Sequence, residues 1–404
     1  MLLILLPFFL GFTPIQNAQQ LSEIESGNYV LTSDIDMKDL TDWTPINFSG
    51  SLDGQCYKIK NLEGSLFAVL SEATVQSLHL EGTASTGLMA AKAINSTIVD
   101  STATGIVSGK DIVGGFIDYA ENSAFKACQV FVSVRGNSNV GGFVGMIGQE
   151  GLFVECQAHG DVSAEKIAGG FVGSAQGRSL SENANHGIKL IQCHSFGDVS
   201  AKKGITGGFA GSLRYSFIDA AGSKGNVKAS GDDVGGFVGR HSHKSRITNA
   251  CAYGNVSGGL TGGFVGTLSH GSAIERAFSA GDIFGSSYTG GFAGVITAEG
   301  TPNTLTACLS FSNKVISSSE SKVRRLVGRL DHEGVNDCYA YLGSIVASTD
   351  NLRHVSPNAY GADGADFNDA TIERILQRLG FDNRYWEFDI TLKQPKLRII
   401  STNR

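Results

Sequence analysis

The chain has 404 residues, a formal net charge of −6 and 53 glycines against 6 prolines, with 41% hydrophobic residues and 23 Phe. The glycine share is about twice the usual one, yet there is apolar material for a core, which excludes a disordered chain. Acidic and basic residues are interspersed, so no broad basic face for nucleic acid is expected.

The chain opens on an apolar stretch from Leu2 to Phe12 that is too short to span a bilayer. Residues 1–18 read as a secretion signal with its cleavage region near Ala18, which places the mature protein outside the cell or on its surface. No other stretch approaches the length of a membrane span. Residues 19–104 read as an N-terminal cap and the first layers of a repetitive fold.

From 105 to 345 the chain repeats itself. The triplets Gly114-Gly115-Phe116, Gly141-Gly142-Phe143, Gly169-Gly170-Phe171, Gly207-Gly208-Phe209, Gly235-Gly236-Phe237, Gly262-Gly263-Phe264 and Gly290-Gly291-Phe292 place Phe at spacings of 27, 28, 38, 28, 27 and 28 residues. A degenerate eighth copy, RRLVGRL, lies around Val327, and the 38-residue interval carries a polar insertion at 179–187. Between triplets a second column recurs, as in CQAHGDVS, CHSFGDVS and CAYGNVS, so each period offers two or three short strands separated by turn residues. One such unit cannot bury its own apolar face. Stacked units of about 28 residues can, with Phe over Phe at the strand spacing of about 4.8 Å. The Gly pair then supplies either positive φ or a close backbone approach.

Residues 346–404 read as a C-terminal capping segment. The stretch DATIERILQRLG predicts a helix with Asp369 as N-cap, Ile372, Ile375, Leu376 and Leu379 on one face and Gly380 past its end, packed as a cap against the last layer.

Several residue types that could carry chemistry have plainer readings. Cys128, Cys156, Cys193 and Cys251 fall at or beside a slot filled elsewhere by Ala221 or Ala277; with Cys56, Cys308 and Cys338 they read mostly as free, buried thiols, and ladder disulfides are the alternative. His241 and His243 alternate, as a strand metal pair would, but lack companion ligands and read as a solvated loop. Asp161, Asp198, Asn226, Asn255 and Asp282 recur after Gly; they read as turn residues bonding their own backbone, with an acidic, glycosidase-like ladder as the alternative. Lys322, Arg324, Arg325 and Arg329 read as a solvated strand face. His332-Glu333 lacks the second His of a zinc-protease helix, and no nucleophile elbow or phosphate loop occurs. The sequons at Asn47, Asn95 and Asn255 matter only in a eukaryotic secretory pathway.

These triplets resemble the GLUG-motif repeat proteins over about residues 105–330. The head at 26–64, with its Trp-x-Pro-Ile and Phe-x-Gly-x-x-Asp-Gly, and the tail LGFDNRYWEFDITLKQPKLR at 379–398 resemble the segments that flank such repeats. The resemblance implies an all-β, right-handed parallel β-helix, exported, in adhesin-like proteins or beside a peptidase domain, with no catalytic residues in the motif. The expected function is therefore a non-enzymatic binding or scaffold module, with no metal, cofactor or nucleic acid, and with an extracellular glycan or a host or matrix protein as partner. The alternatives are a carbohydrate-active or peptidase-associated enzyme and a purely structural rod.

Overall fold

The computed structural model describes residues 11–398, apart from 39, 41, 179–186, 320–321, 349–350, 354 and 390. Most of the predicted signal's apolar run and most of the insertion lie outside the described residues. The chain is all-β, with 55% strand, 3% helix and two short helices. Its strands pair in parallel with the strand one repeat later and in register: Thr102 lies beside Gln129, Val134 beside Val162, Val162 beside Val199 and Val199 beside Val227. Along this series Val134, Val162, Val199, Val227, Val256, Ile283, Val315 and Val346 are all buried, while their neighbours in the chain point outward, because side chains alternate along a strand. The result is a stack of layers around one continuous apolar core. The first layer includes Thr13–Ile15, paired with Tyr29–Leu31 inside the segment read as a signal, followed by the helix Ala18–Ser22, which the sequence did not predict.

Down the centre runs the Phe ladder. Centroids of Phe143, Phe171, Phe209, Phe237, Phe264 and Phe292 are 4.8–5.1 Å apart, with interplanar angles of 3–14°; Phe116 begins the series, tilted by 55°. Phe125 and Phe153 form a second stack at 4.6 Å and meet Phe143 edge-on. Burial contributes about 1.5–3 kcal/mol for each such ring, and ring pairing about 0.5–1.5 kcal/mol beyond that.

The triplet glycines serve close approach, since none of them has positive φ. Their N-terminal neighbours form a separate eight-stranded parallel sheet, from Ile112–Gly114 to Val323–Arg324. A Cβ on the second glycine would strike the carbonyl of the following layer: at Gly208 it would lie 2.1 Å from the Gly236 oxygen. The glycine two residues after Phe is confined from the other side: a Cβ at Gly266 would lie 2.6 Å from the Gly239 oxygen of the preceding layer.

Each restriction vanishes at one end of that sheet, and there the sequence departs from glycine. In the first copy Asp118 stands where later copies have Gly145, Gly173 or Gly266, and its carboxylate accepts from the backbone N–H groups of Gly87 and Gly114 at 2.8 and 2.9 Å. In the eighth copy Leu326, rather than Val327, takes the Phe position, and Arg325 takes the second glycine's. Arg325 is 2% exposed; it donates to the Asp363 and Gly364 carbonyls and pairs with Asp366 at 2.6 Å. The solvated face expected for Arg325 is thus corrected: among the described residues the short sheet has no ninth strand above it, Leu326 and Val327 donate instead to the Ala362 carbonyl, and the Arg325 side chain ties residues 363–366 to this end. Lys322 and Arg329 flank the Tyr288 ring instead.

The predicted C-terminal helix spans Ile372–Arg378, with Thr371 rather than Asp369 at the N-cap. Ile372, Leu376 and Leu379 are buried, and Gly380 follows with φ of +77°. The helix and the antiparallel pair Trp386–Asp389 and Gln394–Leu397 do not lie across the last layer as a cap. They cover the outward side of Cys251, Phe278, Leu309 and Tyr339, four successive layers, in a second apolar cluster around Phe311, Phe367 and Trp386. Those outward positions are apolar only there, whereas Gln129 and Gln157 hold them in earlier layers, so the flank has a place to bind.

Phe237→Ala removes a ring from the middle of the ladder; it is expected to cost about 3–5 kcal/mol, read as a lowered denaturant midpoint with the far-UV spectrum retained. Burial pushes the Asp118 carboxyl up to about 7, against the pull of its two N–H donors. Its protonated form therefore favours the folded chain: that contribution is present below about pH 4 and is lost as pH rises to 7. Asp118→Asn, which keeps an acceptor without the charge, is expected to flatten the fall in Tm between pH 4 and 7, measured by calorimetry.

Candidate functional site

The outward side of the strand series 102–108, 129–136, 162–164, 199–201, 227–229 and 256–258 forms a ribbon of three side-chain columns. In the first, the rings of Phe131 and His159 stack at 4.4 Å and those of His159 and Phe196 at 4.5 Å, with Lys224 Nζ 5.1 Å from the Phe196 centroid. The rings cover one another's faces and present their edges to solvent. Burial, with Lys224 second, holds the His159 pKa below its usual value.

The second column is the Asp/Asn series. Its side chains do not bond their own backbone, as expected, but that of the next layer. Asp161 accepts from the N–H of Asp198 at 2.9 Å, Asp198 from Asn226 at 2.8 Å, Asn226 from Asn255 at 3.0 Å, Asn255 from Asp282 at 2.8 Å and Asp282 from Lys314 at 3.2 Å. One oxygen of each is thereby committed to holding layers together, which suits a stitch better than acid/base work. The sequons at Asn47, Asn95 and Asn255 are exposed, though Asn255 is part of this stitch.

The third column, Ser108, Arg135, Ser163, Ser200 and Lys228, borders a corner where the chain turns toward the short sheet. Here Ser108, Arg135, Asn137, Ser163, Ser200 and Lys202 line an open groove of about 610 Å³, with Glu165 paired to Lys202 at 2.6 Å. The sequence reading passed over these residues because they stand apart in the chain. Their signal is recurrence at about one repeat length.

The nearest approach to a nucleophile and base lies at the ribbon's inner edge. Gly222 leaves a gap of about 20 Å³ between His194 and Cys251, bordered by Tyr253 and Leu397, with room for about one water. A Cβ at Gly222 would lie 3.1 Å from His194 Nδ1 and 3.2 Å from Cys251 Sγ. Burial pushes His194 down to about 4 and Cys251 up to about 12, the reverse of a thiolate beside an imidazolium.

Cys251 lies one residue beside the cysteine column, where Ala250 holds the slot. The column itself runs Cys128, Cys156, Cys193, Ala221, Ala250, Ala277, Cys308 and Cys338. All seven thiols are free, and only Cys56 is exposed. Burial raises the thiol pKa of Cys128, Cys156 and Cys308 well above the usual value.

His241 and His243 are not a solvated pair. His241 is fully buried in the core column of Leu213 and Leu268, its Nε2 3.3 Å from the Ala273 carbonyl, its Nδ1 unpartnered and its pKa pushed by burial down to about 4. His243, at φ of +58°, turns outward and stacks on His270 at 4.5 Å. The turn between them puts the two rings on opposite sides of the wall. Among the described residues no cluster of three or more His, Cys, Asp or Glu could hold a metal ion.

No family model matches the chain. A 175-residue stretch, 40% of the chain, is 30% identical to halomucin of Haloquadratum walsbyi, and a 110-residue stretch, 24% of the chain, is 34% identical to an immunoglobulin A1 protease of Streptococcus sanguinis. The matches span 2% and 6% of those relatives' lengths, a small part of either. Among solved structures, a Bacteroides ovatus protein named provisionally as an immunoglobulin A1 protease is 16% identical over 96% of this chain and 92% of its own, with a TM-score of 0.38. Another, named IgA1 protease, is 18% identical over 58% of this chain and 21% of its own, with a TM-score of 0.42.

Alkylation of the folded protein with iodoacetamide is expected to modify Cys56 alone within minutes, because burial withholds the other thiols. Mass spectrometry of the digest reads this directly, and rapid labelling of Cys251 would show that its thiol is open to solvent.

Proposed function

We propose that the protein is an extracellular, non-catalytic right-handed parallel β-helix that presents its lateral ribbon to a partner, as an adhesin-like or scaffold module. The hand follows from the general rule that connections between parallel strands of one sheet are almost all right-handed. The observation that carries the binding role is the ribbon itself: outward side chains aligned through successive layers and bordered by an open polar groove. Such a face offers many equivalent contacts along a line, and multivalency makes weak contacts sufficient. The partner class is an extracellular glycan or a matrix protein.

A second reading is favoured by the match to the Streptococcus sanguinis protease: the chain is a non-catalytic neighbour of a peptidase, presenting substrate to it. Export through residues 1–18 belongs to the same proposal, and N-terminal sequencing of protein recovered from culture medium tests it.

The full chain, folded and labelled, is expected to bind a subset of a glycan and matrix-protein array saturably, and Phe131→Ser/Lys224→Ser is expected to weaken that binding with Tm unchanged. A blank array with folded protein would sink the binding role and leave a structural rod. Cleavage of immunoglobulin A1 by the chain alone would overturn the non-catalytic assignment.

A further inference from the structure

We infer that the corner groove and the surface beside it bind an acidic polysaccharide along the layer axis, its carboxylate or sulfate groups held by Arg135 in the groove and by Lys203 and Lys228 next to it; this rests on the binding role proposed above. The groove's turns are locked together by backbone bonds: Asn137 N–H donates to the Lys110 carbonyl, Lys166 N–H to that of Asn137, Lys202 N–H to that of Ala164 and Lys203 N–H to that of Glu165. Residues scattered between 110 and 228 in the chain are thereby brought to one edge.

That edge is cationic. Lys110, Arg135, Lys166, Lys202, Lys203 and Lys228 are all exposed, on a chain whose overall charge is −6. The same turns carry four carboxylates, Asp111, Glu165, Asp232 and Asp233, the last buried and paired with Arg240. Among the described residues only Lys202 of these cations has an ion-pair partner, Glu165 at 2.6 Å. Clusters of unpaired cations on a surface raise the local concentration of anions.

The opposite border of the groove discriminates. Asp161 and Asp198 stand two residues before Ser163 and Ser200, so the strand side is anionic while the turn side is cationic. A ligand with phosphates in dense succession would meet repulsion on that border. A chain whose acidic groups are separated by hydroxyl-bearing rings fits both sides. Arg135 and Lys228 share one outward column three layers apart, about 14 Å, and the hydroxyls of Ser163 and Ser200 lie in the layers between them, placed for sugar hydroxyls. The groove volume falls within the range of small-ligand sites.

The test is titration of the full chain with a polyuronate, a sulfated glycosaminoglycan, neutral dextran and a duplex DNA oligomer, followed by calorimetry at two salt concentrations. The expected result is binding of one or both acidic glycans, weakened by salt and reduced at least about tenfold in Arg135→Ser/Lys203→Ser/Lys228→Ser. The Tm of that variant and the affinity of Lys126→Ser/Lys244→Ser, which removes two exposed lysines elsewhere, are expected to be unchanged. Preference for the polyuronate or for the sulfated chain identifies which anion the groove takes. Acidic glycans binding no better than dextran would overturn the inference; if the array still registers a ligand, the binding role survives without it. DNA bound as tightly as the glycans, and lost in the same variant, would reassign the groove to nucleic acid. Equal glycan affinity in the triple variant would place the ligand elsewhere on the surface.

Discussion

The whole molecule depends on how closely one layer's backbone passes over the next at the glycine columns. The carbonyl of each second glycine sits where a Cβ of the layer before would be, as at Gly208 beneath Gly236. That proximity sets the layer spacing on the side of the short sheet. It also puts the Phe rings in face-to-face contact at 4.8 Å between Phe209 and Phe237 and between Phe264 and Phe292. A bulkier residue in one triplet would pry two layers apart and break the ring stack beside it. Glycine costs conformational entropy, and in this fold the stacked Phe rings offset that cost.

The constraint acts in two directions, and it organises the ends. A position confined only from above is released in the last layer; one confined only from below is released in the first. The residues found at those released positions, Arg325 and Asp118, tie the sheet to the segments beyond its two ends, Arg325 through the Asp363 and Gly364 carbonyls and Asp118 through the Gly87 and Gly114 N–H groups.

Period, layering and the inward Phe column were readable from the sequence because they repeat, and repetition converts spacing into contact. The helix at 372–378 was readable from its 3.6-residue pattern, but its docking was not: only the register reveals that Cys251, Phe278, Leu309 and Tyr339 form one outward apolar line for it to cover. Arg325 was misjudged because alternation with Val and Leu describes a strand inside the array, while burial there follows from being last. His241 was misjudged for the opposite reason: it sits mid-array in a column of Leu, and the lack of companion ligands that argues against a metal pair says nothing of burial. The corner cations were invisible as a group, since Arg135 and Lys228 become neighbours on one face only through the pairings of three intervening layers. The Asp/Asn series was seen as a column, but the direction of its hydrogen bonds, across layers instead of within a turn, required the register as well.

The interval between Phe171 and Phe209 is ten residues longer than its neighbours, yet Val172–Gly177 pairs with Ala210–Arg214 and Ile188–Ile191 pairs with Ser216–Asp219 without loss of register. Length added at that corner is therefore invisible to the core, and the strands on either side behave as fixed rails. Corners of this fold can be lengthened, shortened or recharged one layer at a time while the interior is left as it is. Variation in what the surface recognises is in this way uncoupled from the risk of unfolding.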